Sequence, residues 1–177
     1  MRIIAGNLGG RLFDAPRGHK THPMSDRVRG ALFNSLGDIS GKTVLDAFGG
    51  TGALSFEALS RGASQAIAID IDDEATKTMQ KNTQSLGLEK NCKIIRANAS
   101  SWSNNNPSLQ FDIVFAAPPY DRVQQHVVEK LVRHTKPDGL FVLDWPASLE
   151  APQLAGAALE EARTYGNAQL AYYSVIS

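Results

Sequence analysis

Apolar positions along the chain follow two periods that take turns. Residues 1–13 hold two short apolar pieces, Arg2-Ile3-Ile4 and Gly9-Gly10-Arg11-Leu12-Phe13, around a Gly-Gly turn, which predicts a hairpin. Val28, Leu32, Phe33 and Leu36 then recur at helical spacing. Ser25 stands ready as the N-cap, Asp26 lies in the first turn and Gly37 is the stop. Strand-like runs follow at 43–46, 66–70, 93–96, 111–115 and 140–143. Helical runs lie between them: through Leu54, Ala58 and Leu59; through Ala75, Met79, Thr83 and Leu86, stopped by Gly87; and through Val123, Val127, Leu131 and Val132. The polar stretch 101–107 reads as a surface loop, and Lys136-Pro137-Asp138-Gly139 as a turn into the fifth strand. Two β-rich stretches, 158–164 and 169–176, close the chain with no room for a helix between them.

Strands alternating with helices imply an α/β fold, a mostly parallel sheet covered on both faces, with ligands at the carboxyl ends of the strands. The closing pair is expected as an antiparallel hairpin at one edge. The division expected is an N-terminal basic hairpin extension, 1–24, on a single domain, 25–177. At 177 residues one core suffices, burying about 70% of the surface of the unfolded chain. No apolar run approaches the roughly 18 residues of a membrane span, so a soluble, cytoplasmic protein is expected, and separately a monomer. Cys92 is the only cysteine and sits in a strand-like run, where a buried, inert thiol is expected. His19, His22, His126 and His134 have no cysteine or carboxylate at ligand spacing, so no metal is expected.

The formal net charge is zero, but it is unevenly spread. Residues 1–42 carry seven Lys/Arg against three Asp/Glu, and the remainder eleven against fifteen. Local potential decides where a polyanion docks. Arg2, Arg11, Arg17, Lys20, Arg27 and Arg29 are therefore the candidate nucleic-acid platform; Arg27 is equally suited to a ligand carboxylate.

Candidate chemistry begins at Asp46-Ala47-Phe48-Gly49-Gly50-Thr51-Gly52, between the first strand of the alternating region and a helix. Glycines there admit a ligand close to the backbone. A dinucleotide fingerprint would place a third glycine at Ser55, and a P-loop would need Gly-Lys-Ser/Thr; neither is present. Asp46 would repel a pyrophosphate but tolerates an ammonium and a sulfonium, which favours S-adenosyl-L-methionine and disfavours a nicotinamide oxidoreductase. Asp70, at the end of the next strand and followed by Ile71, is placed to accept ribose hydroxyls. Asn98, followed by Ala99, is placed to meet the adenine edge.

The fourth strand ends in Ala116-Ala117-Pro118-Pro119-Tyr120. This is the position of the Asp/Asn-Pro-Pro-Tyr/Phe loop of amino-group methyltransferases. Together with Met1-Arg2-Ile3-Ile4-Ala5-Gly6, the run from Pro23 to Asn34, Val44 to Leu54, and Glu57-Ala58-Leu59-Ser60-Arg61-Gly62, it resembles the bacterial 16S rRNA guanine-N2 methyltransferase family of the RsmD type over nearly the whole chain.

The resemblance implies a Rossmann-like class I fold with a seven-stranded sheet, S-adenosyl-L-methionine as cofactor, and 16S rRNA of the small ribosomal subunit as partner. It also implies a site of Ala117, Pro118, Pro119 and Tyr120, with Asp46, Phe48, Gly49, Gly50, Gly52, Asp70, Ile71, Asn98 and Ala99 around the cofactor. An exocyclic amino nitrogen is conjugated into its ring, so the loop supplies acceptors that draw its lone pair toward the methyl group, and the aromatic stacks on the extruded base. The acid of the motif is replaced by Ala117, and His22 stands where the family commonly has Arg. Three readings stay open: an active enzyme, which could recruit another acid such as Asp121 or Asp144; an RNA-binding homologue with impaired turnover; and an N6-adenine-type enzyme.

Overall fold

The computed structural model describes residues 1–18 and 23–176. Lys20 and His22 lie outside the described residues. Among those described, seven strands form one sheet in the order β3-β2-β1-β4-β5-β7-β6. The strands are β1 Thr43–Asp46, β2 Gln65–Asp70, β3 Cys92–Arg96, β4 Phe111–Ala116, β5 Thr135–Pro146, β6 Ala157–Tyr165 and β7 Ala168–Val175. β1 to β5 are parallel, and the β6–β7 hairpin is antiparallel, with β7 against β5. This is the expected α/β sheet with its edge hairpin.

Alternation along each strand feeds two cores. Val44, Ile113, Phe115 and Val142 face one cluster, which takes in Leu32 and Phe33 of α1 (Asp26–Leu36), Phe56 and Ala58 of α2 (Ala53–Ser60) and Met79 of α3 (Asp73–Leu86). Leu45, Val114, Phe141 and Leu143 face the other, with Trp102 of α4 (Ala99–Asn105) and Val127 and Leu131 of α5 (Gln125–Leu131). Helices therefore cover both faces, as a parallel sheet requires. Strand order reverses between β1 and β4, and the crevice outside their carboxyl ends is the ligand position of such sheets.

Local signals set the helix ends. Ser25 accepts Val28 N–H at 3.2 Å and Gly37 ends α1 at φ 67°. Asp72 caps α3, and Gly87 ends it in the left-handed region at φ 71°.

Several expectations are corrected. The stretch 101–107 is not a loop: most of it belongs to α4, capped by Asn98, whose Oδ1 accepts Ser101 N–H at 3.1 Å. The helix is held by tertiary anchoring at buried Ala99, Trp102 and Ser103, and its polar residues largely face water. Val123 precedes α5. Lys136 to Gly139 lie inside β5 as an irregularity, with Asp138 at φ 63° and a register shift against β4. The opening segment folds back as expected but makes one antiparallel bridge, Arg2 to Leu12, and no strand.

That segment is sewn to the body. Ile3 and Phe13 are buried in the α1–α3 core. Glu57 of α2, itself buried, accepts Ile4 N–H at 2.9 Å and Ala5 N–H at 3.1 Å. Cys92 is buried, and burial pushes its thiol up to about 12. No helix among the described residues is long and apolar enough to cross a membrane.

Candidate active site

β1 delivers Asp46 to the crevice at 1% exposure. Ser55 Oγ donates to its Oδ2 at 2.9 Å, while Oδ1 is buried without a partner. It is the only carboxylate oxygen in that condition among the described residues. Burial, reinforced by the Asp70 charge and opposed by the Ser55 hydroxyl, raises the Asp46 carboxyl to about 7. A buried acceptor left bare costs about 1–3 kcal/mol, and a cationic donor entering the crevice would relieve that cost.

The loop after β1 is wound by its own hydrogen bonds. Gly49 N–H donates to Ile69 O at 2.7 Å, and Gly50 N–H to Asp70 Oδ2 at 2.8 Å. One glycine is required by the protein before any ligand is considered, and a second is closely packed. A Cβ on Gly52, at φ 81°, would lie 2.6 Å from the Phe56 ring, and one on Gly49 would lie 3.0 Å from Met79 Cε. Close packing under the loop thus adds to the ligand argument for glycine.

Asp70 ends β2 with Oδ1 accepting Asp72 N–H at 2.8 Å. Each of its oxygens therefore already holds one backbone donor, and a carboxylate has acceptor capacity left for a hydroxyl. Ile71 beyond it is 65% exposed, an apolar shelf at the mouth of the crevice. Phe48 is half-buried and Ala99 is buried at the start of α4. Asn98 uses its carbonyl oxygen as the α4 cap, which leaves its amide N–H groups to face a ligand edge.

Across the reversal point, β4 pairs with β1 so that Phe115 lies opposite Asp46. This register sets Ala117, Pro118, Pro119 and Tyr120 beside the glycine loop. Pro118 is buried; Pro119 and Tyr120 are exposed, the Tyr120 ring at 38%. The Pro119 carbonyl accepts Arg122 N–H at 3.0 Å. Tyr120 donates its hydroxyl to Asp144 Oδ1, and burial together with that carboxylate holds the phenol far above its ordinary range.

The basic candidates separate. Arg2 is exposed and paired with Asp26 at 3.0 Å, Arg11 donates to Ser85 O at 2.8 Å, and Arg17 and Arg27 are exposed. Arg29 is corrected: it is wholly buried, donating to Met24 O, Arg2 O and Asp26 Oδ1, and is unavailable to a polyanion. Its neighbour Glu57 was not singled out from the sequence. The available signal was the one charged residue of α2, with Arg61 four residues on, the pair observed at 2.8 Å.

The profile of the family described as Conserved hypothetical protein 95 matches residues 1–174. YlbH of Bacillus subtilis (strain 168), which carries the provisional name of an rRNA methyltransferase, is 31% identical over 98% of both chains. Ribosomal RNA small subunit methyltransferase D of Escherichia coli (strain K12) is 37% identical over 69% of this chain and 61% of its own length. Among solved structures, yhhF from Escherichia coli, provisionally named a methyltransferase, superposes with a TM-score of 0.87 at 29% identity, covering 99% of this chain and 98% of its own. The chain therefore belongs to the Conserved hypothetical protein 95 family, in the company of the small-subunit rRNA methyltransferase D proteins.

Proposed function

We propose that the chain transfers a methyl group from S-adenosyl-L-methionine to the exocyclic N2 amino group of a guanine in 16S rRNA of the small ribosomal subunit. The observation that carries this reading is the register of β1 against β4, which puts the unpartnered Asp46 carboxylate one strand away from the Pro118-Pro119-Tyr120 loop. The cofactor, when bound, supplies an electrophilic methyl on sulfur. Asp46 receives its ammonium group, Asp70 its ribose hydroxyls, and Ile71 and the Asn98 amide flank the adenine. Tyr120 stacks on the base, and the Pro118 carbonyl accepts from its amino group.

Residues 1–24 serve as the docking extension, with Arg2, Arg11, Arg17 and Lys20, joined by Arg27 at the start of α1, meeting phosphates. Met24 ends this segment at the same narrow gap as Ala117, so the extension runs beside the loop. The site is assembled within one chain, which suits a monomer acting on ribosomal subunits in the cytoplasm. Ala117, unable to accept a hydrogen bond, favours a second reading, an RNA-docking homologue without turnover.

The test is labelled transfer to under-methylated small subunits, followed by nucleoside analysis. N2-methylguanosine in 16S rRNA is the expected product. Labelled N6-methyladenosine would assign the adenine chemistry, and no label beside intact subunit binding would assign the docking role.

A further inference from the structure

We propose that Asp144 supplies the side-chain acceptor that Ala117 lacks, so that the carboxylate meeting the base comes from the end of β5 and not of β4. This inference rests on the methyltransferase reading above.

Strand geometry brings the two positions together. β4 and β5 are parallel neighbours with Ala116 opposite Leu143. The next step along each strand direction puts Ala117 and Asp144 level with each other, about 4.8 Å apart in the sheet direction. Side chains alternate, so both share the face of Phe115 and Val142. Both also line one narrow gap, with Met24, Leu32, Leu54 and Leu170 contributed by the N-terminal segment, α1, α2 and β7. A carboxylate on β5 thus reaches the space where one on position 117 would project.

The surroundings suit the role. Tyr120 is the residue donating a hydrogen bond to Asp144 among those described, and it uses Oδ1. Oδ2 keeps its acceptor capacity next to the aromatic that would hold the base. Burial raises the Asp144 carboxyl above the usual carboxylate range, against the lowering effect of the Tyr120 hydroxyl, which makes it a more basic acceptor. Asp121, the other acid near the motif, is exposed beyond Tyr120.

In the step itself, the amino nitrogen gives its lone pair to the new N–C bond while the S–C bond breaks with its pair retained by sulfur. Asp144 accepts a hydrogen bond from the amino group beforehand, then takes the surplus proton from nitrogen and passes it to water.

The test compares wild type, Asp144→Ala, Asp144→Asn, Tyr120→Phe, Ala117→Asp and the Asp144→Ala/Ala117→Asp double variant, all checked for folding by urea midpoint. Asp144→Ala is expected to lower kcat on under-methylated small subunits by about 10²- to 10³-fold, as for loss of one preorganised hydrogen-bond partner, with cofactor Kd by calorimetry unchanged. Asp144→Asn keeps an acceptor oxygen and the side-chain shape, and should fall in between. Ala117→Asp should restore kcat in the Asp144→Ala background. Ultraviolet difference titration should show the Tyr120 phenol returning toward its ordinary value in Asp144→Ala, a readout independent of turnover.

Undiminished kcat in Asp144→Ala, or no rescue in the double variant, overturns the inference alone. A Tyr120→Phe loss equal to that of Asp144→Ala also overturns it, because the acid would then act only through the tyrosine. No label from wild type or Ala117→Asp, with cofactor still bound by both, overturns the methyltransferase reading and the inference with it.

Discussion

Two buried carboxylates, Glu57 and Asp46, lie at opposite ends of the same piece of chain and are treated in opposite ways. Glu57 is 0% exposed and filled on both oxygens: two backbone N–H groups, the Arg61 guanidinium at 2.8 Å, and Arg29 at 3.9 Å. Asp46 is equally deep, yet it has one hydroxyl partner and a bare oxygen, and it lies near a second acid. The first arrangement ends within the protein and fastens the N-terminal segment. The second is incomplete without something that the chain does not provide. Burial therefore does not distinguish the two acids; the partner count does, and under the proposed function the unfilled oxygen of Asp46 is the one that meets the cofactor.

The largest effect should come from breaking the completed site. Glu57→Ala strands the Ile4 and Ala5 N–H groups and removes the buried carboxylate that faces Arg61 and Arg29, and should cost about 3–5 kcal/mol, as for a buried pair robbed of one member. Urea unfolding measures it, and a loss below 1 kcal/mol would mean that the segment is held by Ile3 and Phe13 alone.

Next comes the incomplete site. Asp46→Asn should weaken cofactor binding by roughly 10- to 100-fold, the worth of one hydrogen bond to a charged group of about 1.5–3 kcal/mol, while leaving the fold intact. The sign of its pH effect is opposite to that of an ordinary paired acid. Because its folded carboxyl is raised to about 7 from 3.8, Asp46 favours the folded state at low pH, and that contribution is lost as pH rises from about 4 through about 7. Asp46→Asn should flatten this limb of the urea midpoint against pH.

A third buried group sharpens the contrast at smaller scale. His134 is enclosed, with Nδ1 against the Leu109 carbonyl and Nε2 against Ser103 Oγ, both at 2.7 Å. A carbonyl only accepts, so Nδ1 carries the proton and Nε2 accepts from the serine. Burial holds this ring below the usual histidine range, against the Leu109 bond. Its contribution is intact above about pH 6.5 and is lost as pH falls below that, because the unfolded ring protonates first. His134→Gln should flatten the part of the midpoint curve just below about pH 6.5; an unchanged slope there would place the titration elsewhere.

The smallest effect is expected at the surface. Arg2→Ala breaks an exposed pair with Asp26 and should change stability by no more than about 1 kcal/mol. It should reduce the salt dependence of rRNA binding by about one phosphate contact. An unaltered salt slope would take Arg2 out of the docking surface.

Much of this was legible in the chain, and the failures have a common cause. α3 ends where Gly87 says it should, because capping is local. The glycine loop, Asp46 and Asp70 were visible through spacing relative to strand ends. α4 was missed because its Ser/Asn run hangs on one large anchor, Trp102, which carries no periodicity. Arg29 was misplaced because a charge count cannot distinguish a guanidinium facing water from one packed on Glu57 and a backbone carbonyl. The Tyr120 to Asp144 contact spans two strands, and no reading along the chain could establish it.

The central claim is that the bare oxygen of Asp46 marks the place of a cationic group on the cofactor. Calorimetric titration of S-adenosyl-L-methionine near pH 7, in two buffers of different ionisation enthalpy, tests it most directly. Asp46 is partly protonated when the crevice is free and ionised beside an ammonium, so wild type should release protons on binding and Asp46→Asn should not. Equal proton release by both, with equal affinity, would contradict the account.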